Sequence, residues 1–168
     1  MDGWDFKHYV LGTLFYRYIS EKLTDYLNEE AREAYAAGDE SAKNFDYAAL
    51  SDDKAMVEKD GIVDEQGDFI LPSELFVNVW QNAPTNENLN ETLEQVFRHI
   101  ENSAMGTASE DDLTGLFEEF DVNSSKLGAT VQKRNERLTK LLDGIGNMQL
   151  GHYQDNTIDA FGDAYEYL

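Results

Sequence analysis

The chain has 168 residues, enough for one domain with an ordinary buried core, and no cysteine. Disulfide frameworks, thiolate metal sites and a cysteine nucleophile are therefore excluded. Thirty-four acidic residues against thirteen basic ones leave a formal charge of −21, a field that repels phosphate and argues against nucleic-acid binding by overall charge.

No apolar run approaches the ~20 residues of a membrane span. The opening residues, Met1-Asp2-Gly3-Trp4-Asp5, are acidic where a secretory signal is basic. A soluble, cytoplasmic protein without a membrane partner is the expectation.

Residues 5–37 predict one long helix. Leu11, Leu14, Phe15, Tyr18, Ile19, Leu23, Tyr26 and Leu27 recur at three- and four-residue steps, the spacing of a single buried face. Gly38 suits its stop. An irregular stretch anchored by Phe45, Tyr47 and Leu50 follows. Ser51-Asp52-Asp53 then has the chemistry of a helix start, and this short helix is expected to end near Gly61. The run 64–68 predicts a turn, and 69–71 at most a minor extended segment. Pro72 opens a helix through Leu75, Phe76, Val79 and Trp80, and Pro84 closes it.

Asn88-Leu89-Asn90-Glu91 has the spacing of a capping box ahead of a helix carrying Leu89, Leu93, Val96, Phe97 and Ile100. Ser109 begins another, with Leu113, Leu116, Phe117 and Phe120 inward. From about Val131 a further helix buries Leu138, Leu141, Leu142 and Ile145, and Gly144 and Gly146 weaken its end. Thr157 caps a last helix with Ile158, Phe161, Tyr165 and Leu168. A terminus on an apolar, inward-phase residue predicts a polypeptide that continues past Leu168. The fold class expected is all-α: an irregular multi-helix bundle with one long N-terminal helix, spanning 1–168 as a single domain.

Catalytic motifs are wanting. His8, His99 and His152 are scattered, with no His-Glu-x-x-His face for zinc. Gly144-x-Gly146 lacks a third glycine and a preceding strand, and no Gly-x-Ser-x-Gly elbow occurs. Asp121, Asn123 and Ser125 match the first oxygen ligands of a calcium loop. Lys126, however, stands where the turn needs glycine, and Gln132 where the bidentate glutamate belongs. No metal site, no catalytic residue and no cofactor is assigned within this chain.

One local feature opposes the global charge. Lys133, Arg134, Arg137 and Lys140 fall within eight positions, with Lys126 just upstream. At 100° per residue, Lys133, Arg137 and Lys140 form a narrow stripe roughly opposite Val131, Leu138, Leu142 and Ile145. Such a face either forms salt bridges with the chain's own carboxylates or meets an acidic partner such as DNA phosphate. The five cations are the candidate DNA-contact residues.

The run Asp2-Gly3-Trp4-Asp5-Phe6-Lys7-His8-Tyr9-Val10-Leu11-Gly12, continuing into Phe15-Tyr16-Arg17-Tyr18-Ile19-Ser20, resembles the opening region of the modification (M) subunits of type I restriction–modification systems. Asp159-Ala160-Phe161-Gly162-Asp163-Ala164-Tyr165-Glu166-Tyr167-Leu168 looks like the helix leading out of that family's N-terminal domain. Leu113-Thr114-Gly115-Leu116-Phe117 and Asn123-Ser124-Ser125-Lys126-Leu127-Gly128 are similar more loosely.

The resemblance implies an all-helical N-terminal domain of a larger protein, with 157–168 connecting to an adenine-N6 DNA methyltransferase domain that uses S-adenosylmethionine. It implies DNA, a specificity subunit, a second M subunit and a restriction subunit as partners, and a role in clamping DNA and contacting subunits. The family's Asn/Asp-Pro-Pro-[Phe/Tyr] motif has no counterpart, since Pro72 and Pro84 are the only prolines. A short helix that usually precedes the Lys7 segment is missing too, which adds the expectation of a chain trimmed at both ends. An acidic interaction protein, or a DNA mimic binding a basic partner, is the competing reading of the −21 charge.

Overall fold

The structure is a computed structural model that describes residues 3–149; the Thr157 helix and the 157–168 connection lie outside the described residues. Among the described residues there are seven α-helices and no strand. They are α1 (Gly3–Ala36), α2 (Asp52–Val57), α3 (Lys59–Gln66), α4 (Phe76–Asn82), α5 (Leu89–Ser103), α6 (Glu110–Leu113) and α7 (Val131–Gly146). Four 3-10 turns, at Glu40–Ala42, Tyr47–Ala49, Pro72–Glu74 and Ala83–Thr85, join them. The all-α reading holds, and 69–71 is irregular chain.

The long first helix stops where expected, with Gly38 at φ +108°, a conformation that costs a side chain and suits glycine. Its buried face is rotated from the predicted one. Tyr9, Val10, Thr13, Leu14, Tyr16, Ile19, Ser20, Leu23 and Leu27 are buried, whereas Leu11, Phe15, Tyr18 and Tyr26 are half-buried at its margins. Polar residues enter the core because each finds a partner. The Tyr16 hydroxyl donates to Glu74 O at 2.5 Å, and Thr13 Oγ1 donates to Tyr9 O at 2.8 Å. Ser20 Oγ accepts from Phe76 N at 3.1 Å, capping the first turn of α4. A buried hydroxyl so satisfied costs little.

Other boundaries shift for local reasons. The helix from Ser51 does not end at Gly61; it breaks at Glu58, resumes as α3 and ends with Gly67 at φ +84°. The Pro72 helix is two pieces, because Leu75 is extended (φ −61°, ψ 146°) between the 3-10 turn and α4. The expected capping box at Asn88 does not form; Asn88 makes no side-chain cap hydrogen bond. The Ser109 helix shrinks to α6 because Gly115 turns the chain at φ +76°, yet Leu113, Phe117 and Phe120 are buried as predicted.

Around Phe97 of α5 the core is aromatic. Phe97 stacks on Phe117 with centroids 4.1 Å apart and meets the edges of Phe120 and Tyr16 at 4.9 and 5.4 Å. Tyr9 closes on Phe120 at 4.9 Å. Such pairs add about 0.5–1.5 kcal/mol each beyond buried area. Helix α7 packs against α1, α4 and α5, so three elements fix how its outer face is presented.

Candidate functional site

The outward face of α7 is built by its first and last turns. Thr130 Oγ1 accepts from Lys133 N at 3.1 Å and caps the start. At the other end Arg17 of α1 reaches across, and its Nη1 donates to Ile145 O at 2.6 Å and Met148 O at 2.7 Å. A cation on these last carbonyls also favours the helix dipole. Gly146 lets the helix pass under Trp80: a Cβ there would sit 2.7 Å from the indole ring. Trp80 Nε1 then donates to Asp143 Oδ1 at 2.6 Å.

Between these anchors Asn135, Leu138, Leu141, Leu142 and Ile145 face inward, while Lys133, Arg137 and Lys140 are exposed. Among the described residues no ion pair engages Lys133, Arg137 or Lys140. The neighbouring carboxylate, Glu136, is approached by Gln132 Nε2 at 3.4 Å. Among the described residues the three cations thus form one exposed stripe that salt bridges do not consume.

Arg134 behaves differently. It is half-buried, and its Nη1 donates to Gly128 O at 3.1 Å, tying the incoming turn to α7. Gly128 must be small, because a Cβ would lie 2.8 Å from Lys133 Cβ and 2.9 Å from Arg134 N. Lys126 is exposed on that turn, with its N–H on Ser124 Oγ at 3.2 Å. Val131, expected inward, is 45% exposed because the helix begins there, before its inner face meets α5.

Beside the stripe runs a groove of about 840 Å³ between the Ala83–Thr85 turn and α7, with Gln132, Thr139 and Lys140 on its α7 wall. Asn135, which lines it, belongs to an asparagine network not anticipated from the sequence. Buried Asn135 accepts from Asn90 N at 2.9 Å and donates from Nδ2 to Glu87 O at 2.9 Å. It therefore caps α5 from α7, in place of the absent capping box. Asn90 Nδ2 in turn donates to Asn123 Oδ1 at 2.9 Å. The signal was present: Asn135 lies three residues before buried Leu138, on the inward phase of the helix.

The residues that mimic a calcium loop do structural work instead. Asp121 Oδ1 accepts from Asn123 N at 2.9 Å, an Asx turn, while Asn123 binds α5. Among the described residues no group of three or more His, Asp or Glu is placed to hold a metal ion. His8 contacts Glu119, and His99 Nδ1 lies 2.8 Å from Glu74, with the two histidines on separate helices. His152 lies outside the described residues. Burial raises the Glu74 carboxyl above the usual range, against the opposing pull of His99.

Comparison with known proteins agrees with this architecture. A family model described as the HsdM N-terminal domain matches residues 1–145. The type I restriction enzyme MpnII methylase subunit of Mycoplasma pneumoniae is 43% identical over 175 aligned positions, covering 100% of this chain and 31% of that protein. The crystal structure of the type I restriction–modification methyltransferase subunit from Streptococcus thermophilus superposes with a TM-score of 0.69 at 31% identity, covering 100% of this chain and 34% of that one. The chain spans about a third of the length of both. The long α1 running into the Phe97 core, the α7 that Arg17 fastens to it, and these matches lead to one conclusion: the chain belongs to the HsdM N-terminal domain family, the helical domain of type I restriction–modification methylase subunits.

Proposed function

We propose that this domain clamps DNA and contacts neighbouring subunits in a type I DNA methyltransferase, with the outer face of α7 turned to the duplex. In this reading the whole protein methylates adenine at N6 with S-adenosylmethionine in the cytoplasm. It works beside a specificity subunit, a second M subunit and a restriction subunit. The described residues contain no strand, and hence no strand–glycine loop–helix unit to hold a methyl donor. In this reading the cofactor is held by the part of the parent outside this chain.

The observation carrying the proposal is the stripe of Lys133, Arg137 and Lys140, exposed and, among the described residues, without a salt bridge, in a chain of charge −21. With many carboxylates available, an unengaged cationic face is what contact with phosphate requires. The negative remainder of the surface keeps the domain from holding DNA alone, so clamping depends on the assembled enzyme. Arg134 and Lys126 flank the stripe, and Arg134 Nη1 also holds the Gly128 turn.

The test is K133E/R137E/K140E in the assembled enzyme, with DNA affinity followed against salt. Three lost phosphate contacts flatten the log–log salt slope by about 2–3. Unchanged affinity and slope would sink the proposal. Because all three side chains are exposed, the variant should fold as the parent does, within about 1 kcal/mol.

A further inference from the structure

At the end of the molecule away from the Phe97 core, a groove of about 340 Å³ runs between the C-terminal half of α1 and the α2–α3 pair. Its walls are apolar, with Leu27 and Ala34 on one side and Ala55 and Ile62 on the other. Small residues keep it open: a Cβ built on Gly61 meets nothing within 4 Å. Between the wall residues Ala55 and Glu58 the chain exposes Met56 and Val57, the latter 81% exposed. The end of α2 is thus more apolar than solvated helix requires.

Every ionisable side chain lining this groove, tyrosine aside, is a carboxylate: Glu30, Glu58 and Glu65. Residues 25–66, which supply the whole lining, carry thirteen acidic side chains against four basic ones, so the surrounding potential is negative as well. At one edge the Tyr26 hydroxyl lies 3.0 Å from Glu30 Oε1 and 2.9 Å from Glu65 Oε2. A phenol has a single proton, and both ionised carboxylates are pure acceptors. Hydrogen bonding to Glu65 and Glu30 pushes the phenol up to about 12, so it stays a donor. It serves one carboxylate at a time and leaves the other to water.

We infer that this groove docks an apolar segment flanked by lysine or arginine, carried by another polypeptide. The apolar side chains enter between Ala34 and Ile62, and a cationic head replaces water on Glu30 and Glu65 in a charge-assisted hydrogen bond. Neither terminal segment of these 168 residues has the charge for this. Residues 1–5 and 150–168 contain no lysine or arginine and carry Asp2, Asp5, Asp155, Asp159, Asp163 and Glu166. A second copy brings a further −21 to an acidic face. The groove lies on α1, α2 and α3, whereas the proposed DNA face is on α7, so the two ideas stand or fall separately.

The test uses the full methyltransferase subunit and two fluorescein-labelled peptides that share one leucine pattern. One has lysines flanking the leucines, the other glutamates. Fluorescence anisotropy should show saturable binding of the lysine peptide alone. The Gly61→Leu variant fills the groove without changing charge, and leucine is the better helix former, so folding is retained. It should weaken lysine-peptide binding by about tenfold or more. E30K/E65K should abolish binding and guards against a Gly61→Leu variant that misfolds. Three results would overturn the inference: equal affinity of parent and Gly61→Leu, equal binding of the glutamate peptide, or a self-associated dimer in sedimentation that Gly61→Leu dissociates.

Discussion

Replacing Arg17 with alanine tests whether α7 owes its placement to a single cation on α1. The guanidinium is 13% exposed and makes three short hydrogen bonds: Nη1 to Ile145 O (2.6 Å) and Met148 O (2.7 Å), and Nε to Glu21 Oε1 (2.7 Å). A hydrogen bond from a charged group contributes about 1.5–3 kcal/mol, and a cation at a helix C-terminus adds about 0.3–1. Water can rehydrate the freed carbonyls, so the two backbone contacts will not both be lost at full value. The Glu21 contact, half exposed, adds little. The net expectation for Arg17→Ala is about 2–4 kcal/mol, or roughly 5–15 °C in Tm for a chain of this size.

Urea denaturation of the parent, Arg17→Ala and Arg32→Ala chains, followed by circular dichroism, measures this directly. Arg32 makes an equally short contact, at 2.5 Å to Glu29, but its side chain is 67% exposed. Its loss should cost no more than about 0.5 kcal/mol. If Arg17→Ala costs as little as Arg32→Ala, the two carbonyls at the end of α7 are satisfied without Arg17, and the reasoning fails.

Three further outcomes follow from the same geometry. Burial raises Asp68 to about 6, only partly offset by Lys22. The folded chain therefore binds this proton more tightly than the unfolded one, and stability falls as pH rises from about 4 to 6. Asp68→Asn should gain about 1–3 kcal/mol at pH 7, and the gain should vanish near pH 4. A gain independent of pH in urea titrations would refute this. Asn135→Ala strands Asn90 N–H and the Glu87 carbonyl, and should cost about 2–4 kcal/mol in the same assay. Gly12→Ala places a Cβ 2.6 Å from Phe120 Cδ2, and Tyr9 and Phe97 leave that ring nowhere to go. Despite alanine's better helix propensity, a net loss of about 1–2 kcal/mol is expected as a lowered Tm.

Hydrophobic periodicity made the extent of α1, α5 and α7 legible, because each is long enough to repeat its pattern, although α1 buries a face rotated from the predicted stripe. The short elements were not legible for the same reason reversed. Seven residues of α4 and four of α6 carry less than two turns of pattern, so Leu75 and Gly115 decide their limits through backbone angles that periodicity does not encode. The capping box at Asn88 misled because its spacing is local, whereas the cap that forms comes from Asn135, far along the chain. The α7 stripe was readable from 100° spacing alone. That Arg134 turns inward was not, since it depends on the position of the Gly128 carbonyl.

The segment that carries the family resemblance turns out to be assembly machinery. Within Tyr16-Arg17-Tyr18-Ile19-Ser20, Tyr16 holds the Glu74 carbonyl, Arg17 the end of α7, and Ser20 the start of α4, while Ile19 is buried. These contacts fix where α7 lies but do not touch its outer face. Resemblance through this segment therefore speaks for the scaffold and is silent on Lys133, Arg137 and Lys140. The two kinds of variant should separate accordingly. Arg17→Ala should lower stability and disturb DNA binding together, because it loosens the helix that presents the stripe. K133E/R137E/K140E should weaken DNA binding at unchanged stability. DNA binding that follows stability alone across both variants would make α7 a strut, with the clamp lying elsewhere.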